Sequence, residues 1–187
     1  MNYWTRNFRL HCAADTISSG GVIAYPTEAV WGLGCHPDNK IGVERILKLK
    51  GRSVDKGLIL VAANIEQLQP YLHGLDQSQL DRMQQTWPGP TTWLVPNNGV
   101  AADWITGRHN SLALRVSNHP LVAALCQRVG GAIVSTSANP QGKISARNRF
   151  EVRRFFAKGL DYYAPGEVLG HSNPSQIRDL ISDKIIR

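Results

Sequence analysis

Four stretches of this 187-residue chain carry side chains able to do chemistry. The first is a run of cations, Lys48, Lys50, Arg52 and Lys56, set just before the apolar segment Leu58-Ile59-Leu60-Val61. In the second, Ser135-Thr136-Ser137-Ala138-Asn139, an apolar run ends in hydroxyls and an amide. Thr27-Glu28, following Tyr25-Pro26, and Arg115, at the end of an alternating stretch, complete the set. Singly, each has an ordinary structural explanation: charge clusters usually form solvated faces, and Ser, Thr and Asn side chains cap turns. Together they suit a triphosphate. Each phosphate oxygen takes several charge-assisted donors, and hydroxyls and amides beside fixed guanidinium and ammonium groups supply them.

The familiar nucleotide motifs are absent. There is no G-x-x-x-x-G-K-[ST] and no G-x-G-x-x-G after the first strand, so neither a P-loop nor a dinucleotide fold has support. No G-x-S-x-G elbow points to a serine nucleophile. Cys12, Cys35 and Cys126 are an odd, widely spaced set that reads as free thiols in a reducing compartment. Cys35-His36 are adjacent, which is not ligand spacing, and the remaining histidines are scattered, so no metal site is expected.

The formal charge of +7 draws phosphates and polyanions over about 8 to 10 Å at physiological salt. The excess falls into two groups: Lys40, Arg45, Lys48, Lys50, Arg52 and Lys56, then Lys143, Arg147, Arg149, Arg153, Arg154 and Lys158. Both are expected on one concave basic face. With 42% hydrophobic and 19% charged residues the chain reads as globular, and no apolar run approaches the ~20 residues that span a bilayer. The opening residues show no secretory h-region, so the expected location is cytoplasmic, with no membrane partner.

Those loaded stretches need strand ends to present them. Residues 5–19 have loose helical spacing through Phe8, Ala13, Ala14 and Ile17 and stop at Gly20-Gly21. Residues 22–34 read as an extended run broken at Pro26. Asp38–Lys50 predicts a helix with Ile41, Ile46, Leu47 and Leu49 near one face and its cations on the other. Residues 57–62 read as a buried strand, 64–72 and 77–85 as short helices, and 87–96 as a Pro-Gly turn feeding a strand. Leu112 and Leu114 alternate with Ala113 and Arg115 in a further strand, and His119-Pro120 opens a helix. A strand over 132–139, a basic helix over 147–158 and short terminal strands over 175–181 and 184–187 finish the reading. Irregularly alternating strands and helices predict one α/β domain, residues 1–187, with a twisted mixed β-sheet flanked by helices.

"YPTEAVWGLG", "KGRSVDKGLILVA", "WPGPTTW", "SLALRVSNHPLVAAL" and "STSANPQG" occur in this order from about Val22 onward. In these motifs the chain resembles the threonylcarbamoyl-AMP synthase family, whose YrdC-like domain serves tRNA modification. Its paired signature, Lys-x-Arg with Ser-x-Asn, stands here as Lys50-Gly51-Arg52 and Ser137-Ala138-Asn139. The resemblance implies that L-threonine, bicarbonate or CO2, and ATP give threonylcarbamoyl-adenylate and pyrophosphate. The product would pass to a downstream threonylcarbamoyl-transferase complex acting on tRNA. It also implies catalytic roles for Lys50, Arg52, Ser137 and Asn139. ATP would be held by Arg52, Lys56, Ser111, Ser137, Ser145 and Arg187, and L-threonine by Thr27, Arg115, Ser135 and Ser175. Mg2+ would enter with the ATP phosphates, with no metal ligands of the protein's own and no organic cofactor; Glu28 would touch that ion or form an ordinary salt bridge. Two-domain relatives place a histidine near the threonine where this chain has Val61, which leaves that pocket wall open. The competing reading is a module binding tRNA or double-stranded RNA on the basic concave surface, with Arg147, Arg149, Arg153 and Arg154 spread over an open groove.

Overall fold

The computed structural model describes residues 3–170 and 175–186. Helix α1 (Phe8–Ser18) is capped by Asn7, whose side chain accepts from the Leu10 amide. It leads into a hairpin of β1 (Ile23–Pro26) and β2 (Trp31–Gly34), so the run expected to break at Pro26 turns back on itself. Helix α2 (Lys40–Lys50) is capped by Asn39 and closed by Gly51, and is followed by β3 (Ile59–Ala62). Two short helices, α3 (Gln69–Leu72) and α4 (Gln77–Gln84), precede β4 (Thr91–Pro96). Next come α5 (Asp103–Thr106), β5 (Ser111–Val116), α6 (Pro120–Val129) and β6 (Ile133–Ser137). Helix α7 (Arg149–Phe156), β7 (Tyr162–Tyr163) and β8 (Gln176–Asp179) end the described chain. The 184–187 stretch is not a strand: Ile185 makes an isolated bridge to Arg178, and Arg187 lies outside the described residues.

The strands form one sheet in the order β7-β1-β2-β6-β3-β5-β4-β8. It is mixed: β3 runs parallel to β5, while β6 pairs antiparallel with both β2 and β3. Side chains alternate across a strand, so each face collects every second residue. One face gathers Leu33, Leu60, Trp93, Leu112, Leu114 and Val134, and packs them on Val43, Ile46 and Leu47 of α2 and on Val152 and Phe156 of α7. The opposite face is divided. Ile23, Tyr25, Val61 and Ile133 lie beneath Leu10, Ala14 and Ile17 of α1 and Leu121, Val122 and Leu125 of α6. Neither helix covers the rest of that face.

Two expectations about α2 fail for one reason. Ile41 is 71% exposed, while the buried stripe is Gly42, Val43, Ile46, Leu47 and Lys50. The stripe runs 43, 46, 47, 50, the 3.6-residue period itself, and it carries Lys50 inward with the apolar residues. Close packing also dictates a bare strand at Gly34. A Cβ there would sit 2.6 Å from the Val134 carbonyl and 2.8 Å from the Tyr25 ring, which lies across β2.

Candidate active site

The uncovered part of the sheet is the floor of a cavity of about 350 Å³. Register explains which side chains reach it. Val61 is paired with Ile133 and Arg115, and two residues back Ile59 is paired with Ser135 and Ala113. The same alternation that puts Leu112 and Leu114 in the core therefore delivers Ser111, Ala113 and Arg115 to the cavity. Ser135 and Ser137 follow Ile133 out from beneath α6 in the same way.

The mouth near the start of β3 is made by loops. Arg52 donates through Nη2 to the carbonyl of Gly57 at 2.9 Å and to that of Lys56 at 3.2 Å, so it braces the turn that carries Lys56. Lys56 itself is exposed and reaches Gln141 Oε1 at 3.3 Å. This turn lies against the end of α5, where Leu58 N–H donates to the Ile105 carbonyl at 2.8 Å. Gly107 has φ +62°, and a Cβ there would be 2.5 Å from the Val54 carbonyl, so only glycine lets the two loops meet.

At the other end of β5, Arg115 is held on two edges. Its Nε donates to the Gly89 carbonyl at 3.0 Å and its Nη2 lies 2.9 Å from Glu28 Oε2. Glu28 is buried; its Oε1 accepts from Ser117 Oγ at 2.8 Å and from the Asn118 amide at 2.9 Å. Burial pushes its carboxyl up, but Arg115, the Ser117 hydroxyl and the backbone amides outweigh that and leave it below the ordinary glutamate value. The salt bridge is thus the role Glu28 fills in the fold. Thr27 stands beside it, its hydroxyl donating to the Val30 carbonyl at 2.7 Å in the hairpin turn.

Of the expected site residues, Thr27, Arg52, Lys56, Ser111, Arg115, Ser135, Ser137 and Ser175 line this one cavity. Ser175 also accepts from the buried Thr92 hydroxyl at 3.0 Å. Lys50, Asn139 and Ser145 do not reach its wall, and Arg187 lies outside the described residues. Lys50, only 4% exposed, points its Nζ at the carbonyls of Ser137 and Asn139, the latter at 2.8 Å, and at Asn139 Oδ1 at 3.4 Å. Burial, and after it the Arg52 guanidinium, pushes its ammonium down to about 8. Asn139 Oδ1 in turn accepts from Ser137 Oγ at 2.7 Å and Ser145 Oγ at 3.3 Å, while its Nδ2 donates to the Lys143 carbonyl at 2.7 Å. The paired signature therefore converges, with Lys50 and Asn139 clamping the loop that presents Ser137.

The second basic group is not part of the cavity wall, although Lys143 belongs to the loop clamped by Lys50 and Asn139. Arg149 and Arg153 flank the Tyr163 ring at 5.5 and 5.3 Å on the β7 side of the sheet. Val61 is under α6, and the wall position on its strand belongs to Ile59. Sequence reasoning missed Ile105, Thr106 and His109, which also line the cavity. The one-turn helix α5 is too short for a periodic signal, and the only clue was its place just before the Ser111 strand.

A mixed α/β sheet with one face opening into a largely apolar cavity that carries cations and hydroxyls is suited to an anionic small molecule with an apolar part. The family model described as Telomere recombination, Sua5_yciO_yrdC, matches residues 15–187. The threonylcarbamoyl-AMP synthase of Saccharophagus degradans is 55% identical over 187 residues, covering 100% of this chain and 98% of that protein. That of Cellvibrio japonicus is 53% identical over 184 residues, 98% of this chain and 97% of the other. P. abyssi Sua5 in its crystal structure complexed with L-threonine superposes with a TM-score of 0.85 at 30% identity over 91% of this chain, which spans 50% of that longer one. The chain belongs to the threonylcarbamoyl-AMP synthase family. Its chemistry is nucleotidyl transfer, forming threonylcarbamoyl-AMP from threonine, CO2 or bicarbonate, and ATP.

Proposed function

We propose that the cavity is where these three substrates meet, with L-threonine at the Arg115 end and the ATP phosphates at the Arg52–Lys56 end. The observation that carries this reading is one cavity with Arg52 and Lys56 at one end, Arg115 at the other and Ser111, Ser135 and Ser137 in its lining. Ser111 and Arg115 are four residues apart on β5, about 13 Å at ~3.3 Å per residue. Threonine Nα adds to CO2, and an oxygen of the resulting carbamate attacks the α-phosphorus, expelling pyrophosphate. Carbamate and triphosphate are both anions, so the site's task is electrostatic. Arg52 and Lys56 offset the repulsion at the phosphates, and Arg115 holds the amino-acid carboxylate. Ser111 and Ser137 donate on the ATP side; Thr27, Ser135 and Ser175 surround threonine. Lys50, Asn139 and Ser145 act through the loop they pin.

Mg2+ belongs to the substrate, as MgATP. Glu28 is the only carboxylate in the described wall and is already engaged, and the described residues contain no cluster of three or more His, Cys, Asp or Glu suited to a metal. The product is a reactive mixed anhydride, which suits direct delivery to a threonylcarbamoyl-transferase complex working on tRNA. Among the described residues no helix is long and apolar enough to cross a membrane. Three free thiols fit a cytoplasmic setting for a single domain of residues 1–187.

Purified protein incubated with ATP, L-threonine and bicarbonate, each omitted in turn, is expected to release pyrophosphate and form the adenylate only when all three are present. Pyrophosphate release that persists without threonine or bicarbonate would refute the assignment.

A further inference from the structure

Glu28 is the one acidic side chain in the described wall of a cavity whose other polar side chains are mainly cations and hydroxyls, set among apolar ones. The sequence left it without a definite role. A buried carboxylate beside an anion-binding guanidinium weakens that guanidinium's pull on anions, so its presence needs a reason beyond charge balance.

Geometry supplies one. The Glu28 carboxylate is itself fixed on Oε1 by Ser117 Oγ and the Asn118 amide, both from the turn that opens α6. Its Oε2 then meets Arg115 Nη2, while Gly89 holds Arg115 Nε. With Nε donating to Gly89 and Nη2 held in an ion pair with Glu28 Oε2, the guanidinium is fixed on that edge and meets a ligand carboxylate from its Nη1 and Nη2 end. Glu28 also changes what the end selects. Arg115 and Glu28 together are neutral, so a simple carboxylate gains contact with Arg115 but is repelled by Glu28. A zwitterion places its carboxylate on Arg115 and its ammonium toward Glu28.

We propose that Glu28 is the positioning and specificity-determining residue of the amino-acid end, fixing which edge of Arg115 faces the ligand and making the site prefer a zwitterionic α-amino acid to the corresponding amine-free acid. This rests on the assignment of threonine to the Arg115 end.

The test uses L-threonine and its deamino analogue, 3-hydroxybutanoate, titrated calorimetrically into the purified protein, with steady-state KM and kcat measured in parallel. Wild type is expected to bind threonine at least tenfold more tightly than 3-hydroxybutanoate; equal affinities overturn the proposal without any variant being made. Glu28→Gln keeps the size and the Oε1 acceptor but removes the charge. It is expected to raise KM for threonine about tenfold or more, leave KM for ATP within about twofold, and leave 3-hydroxybutanoate binding unchanged or tighter. A loss shared equally by threonine, 3-hydroxybutanoate and ATP would mark Glu28 as merely structural and sink the idea. Arg115→Ala separates the two levels. If it leaves threonine affinity intact, the placement of threonine itself is wrong; if it abolishes threonine binding while Glu28→Gln changes nothing, only the role given to Glu28 is lost.

Discussion

Two halves of one sheet face are built from the same strands and serve opposite ends. Beneath α1 and α6 the inward positions are Ile23, Tyr25, Val61 and Ile133, fully apolar apart from one tyrosine hydroxyl. Two residues further along β6 the inward positions become Ser135 and Ser137, and along β5 they are Arg115, Ala113 and Ser111. Strand geometry is shared; only the roof differs. Where helices cover the sheet, apolar burial holds the fold. Where they do not, the same alternation presents donors to a ligand. Stability and chemistry are thus separated along single strands, over a distance of two residues.

Substitutions on either side of that boundary sharpen the contrast. Ile133→Ala, under the roof, is expected to lower the unfolding free energy by about 2 to 5 kcal/mol in denaturant titrations. Arg52→Ala, at the open mouth, should reduce pyrophosphate release at least 100-fold, about 3 kcal/mol of transition-state stabilisation, while the loss of its bonds to the Lys56 and Gly57 carbonyls lowers stability less than Ile133→Ala does. If both variants lose stability and activity in proportion, the division between the halves does not exist.

Lys50→Met tests a residue that belongs to neither half. Methionine preserves the length of the side chain but strands the carbonyls of Ser137 and Asn139, so stability should fall by about 1 to 3 kcal/mol along with activity. Hydrogen exchange at Lys143 and Ala146, whose amides close the clamped loop, should quicken. A variant that loses ATP affinity while those amides keep their protection would restore Lys50 to direct phosphate contact.

The smallest effect is expected at the far edge. Asp161 takes Arg45 and the Val22 amide, tying the approach to β7 to α2 and to the start of β1. The Arg45 hydrogen bond, opposed by burial, leaves its pKa below the ordinary aspartate value. A depressed carboxyl stabilises the fold above its unfolded-state pKa, so the deficit of Asp161→Asn should be full at neutral pH. It should vanish as pH falls below about 3.8 and through the folded-state value. Since both partners are more than a third exposed, solvent screening limits the deficit to roughly 1 kcal/mol or less, read from melts across pH. A deficit that grows in acid would show that the ion pair is not its source.

Much of this arrangement was legible before any coordinates. The alternation of Leu112 and Leu114 with Arg115 gave both the strand and the side on which the guanidinium would emerge, because a period of two is unambiguous when one face is strongly apolar. The hydroxyl-rich end of β6 was likewise readable, and Ser135 and Ser137 do line the cavity. Lys50 was misplaced because its charge was weighed above its spacing, although the stripe through Val43, Ile46 and Leu47 already pointed it inward. The two-residue β7 and four-residue α5 carry too few residues for any period to show. The place of the α7 arginines at the β7 edge depends on strand order, which pairs β1 with β7 from near the other end of the described chain and has no local signature.

Gly34 lets a neighbouring strand and an aromatic ring close on the same point. With no side chain there, the Tyr25 ring can lie flat across β2, its hydroxyl tucked beside Ser135. A single methyl group at that position would have to displace either the ring or the Val134 carbonyl, so an atom the chain never had keeps this corner of the sheet shut.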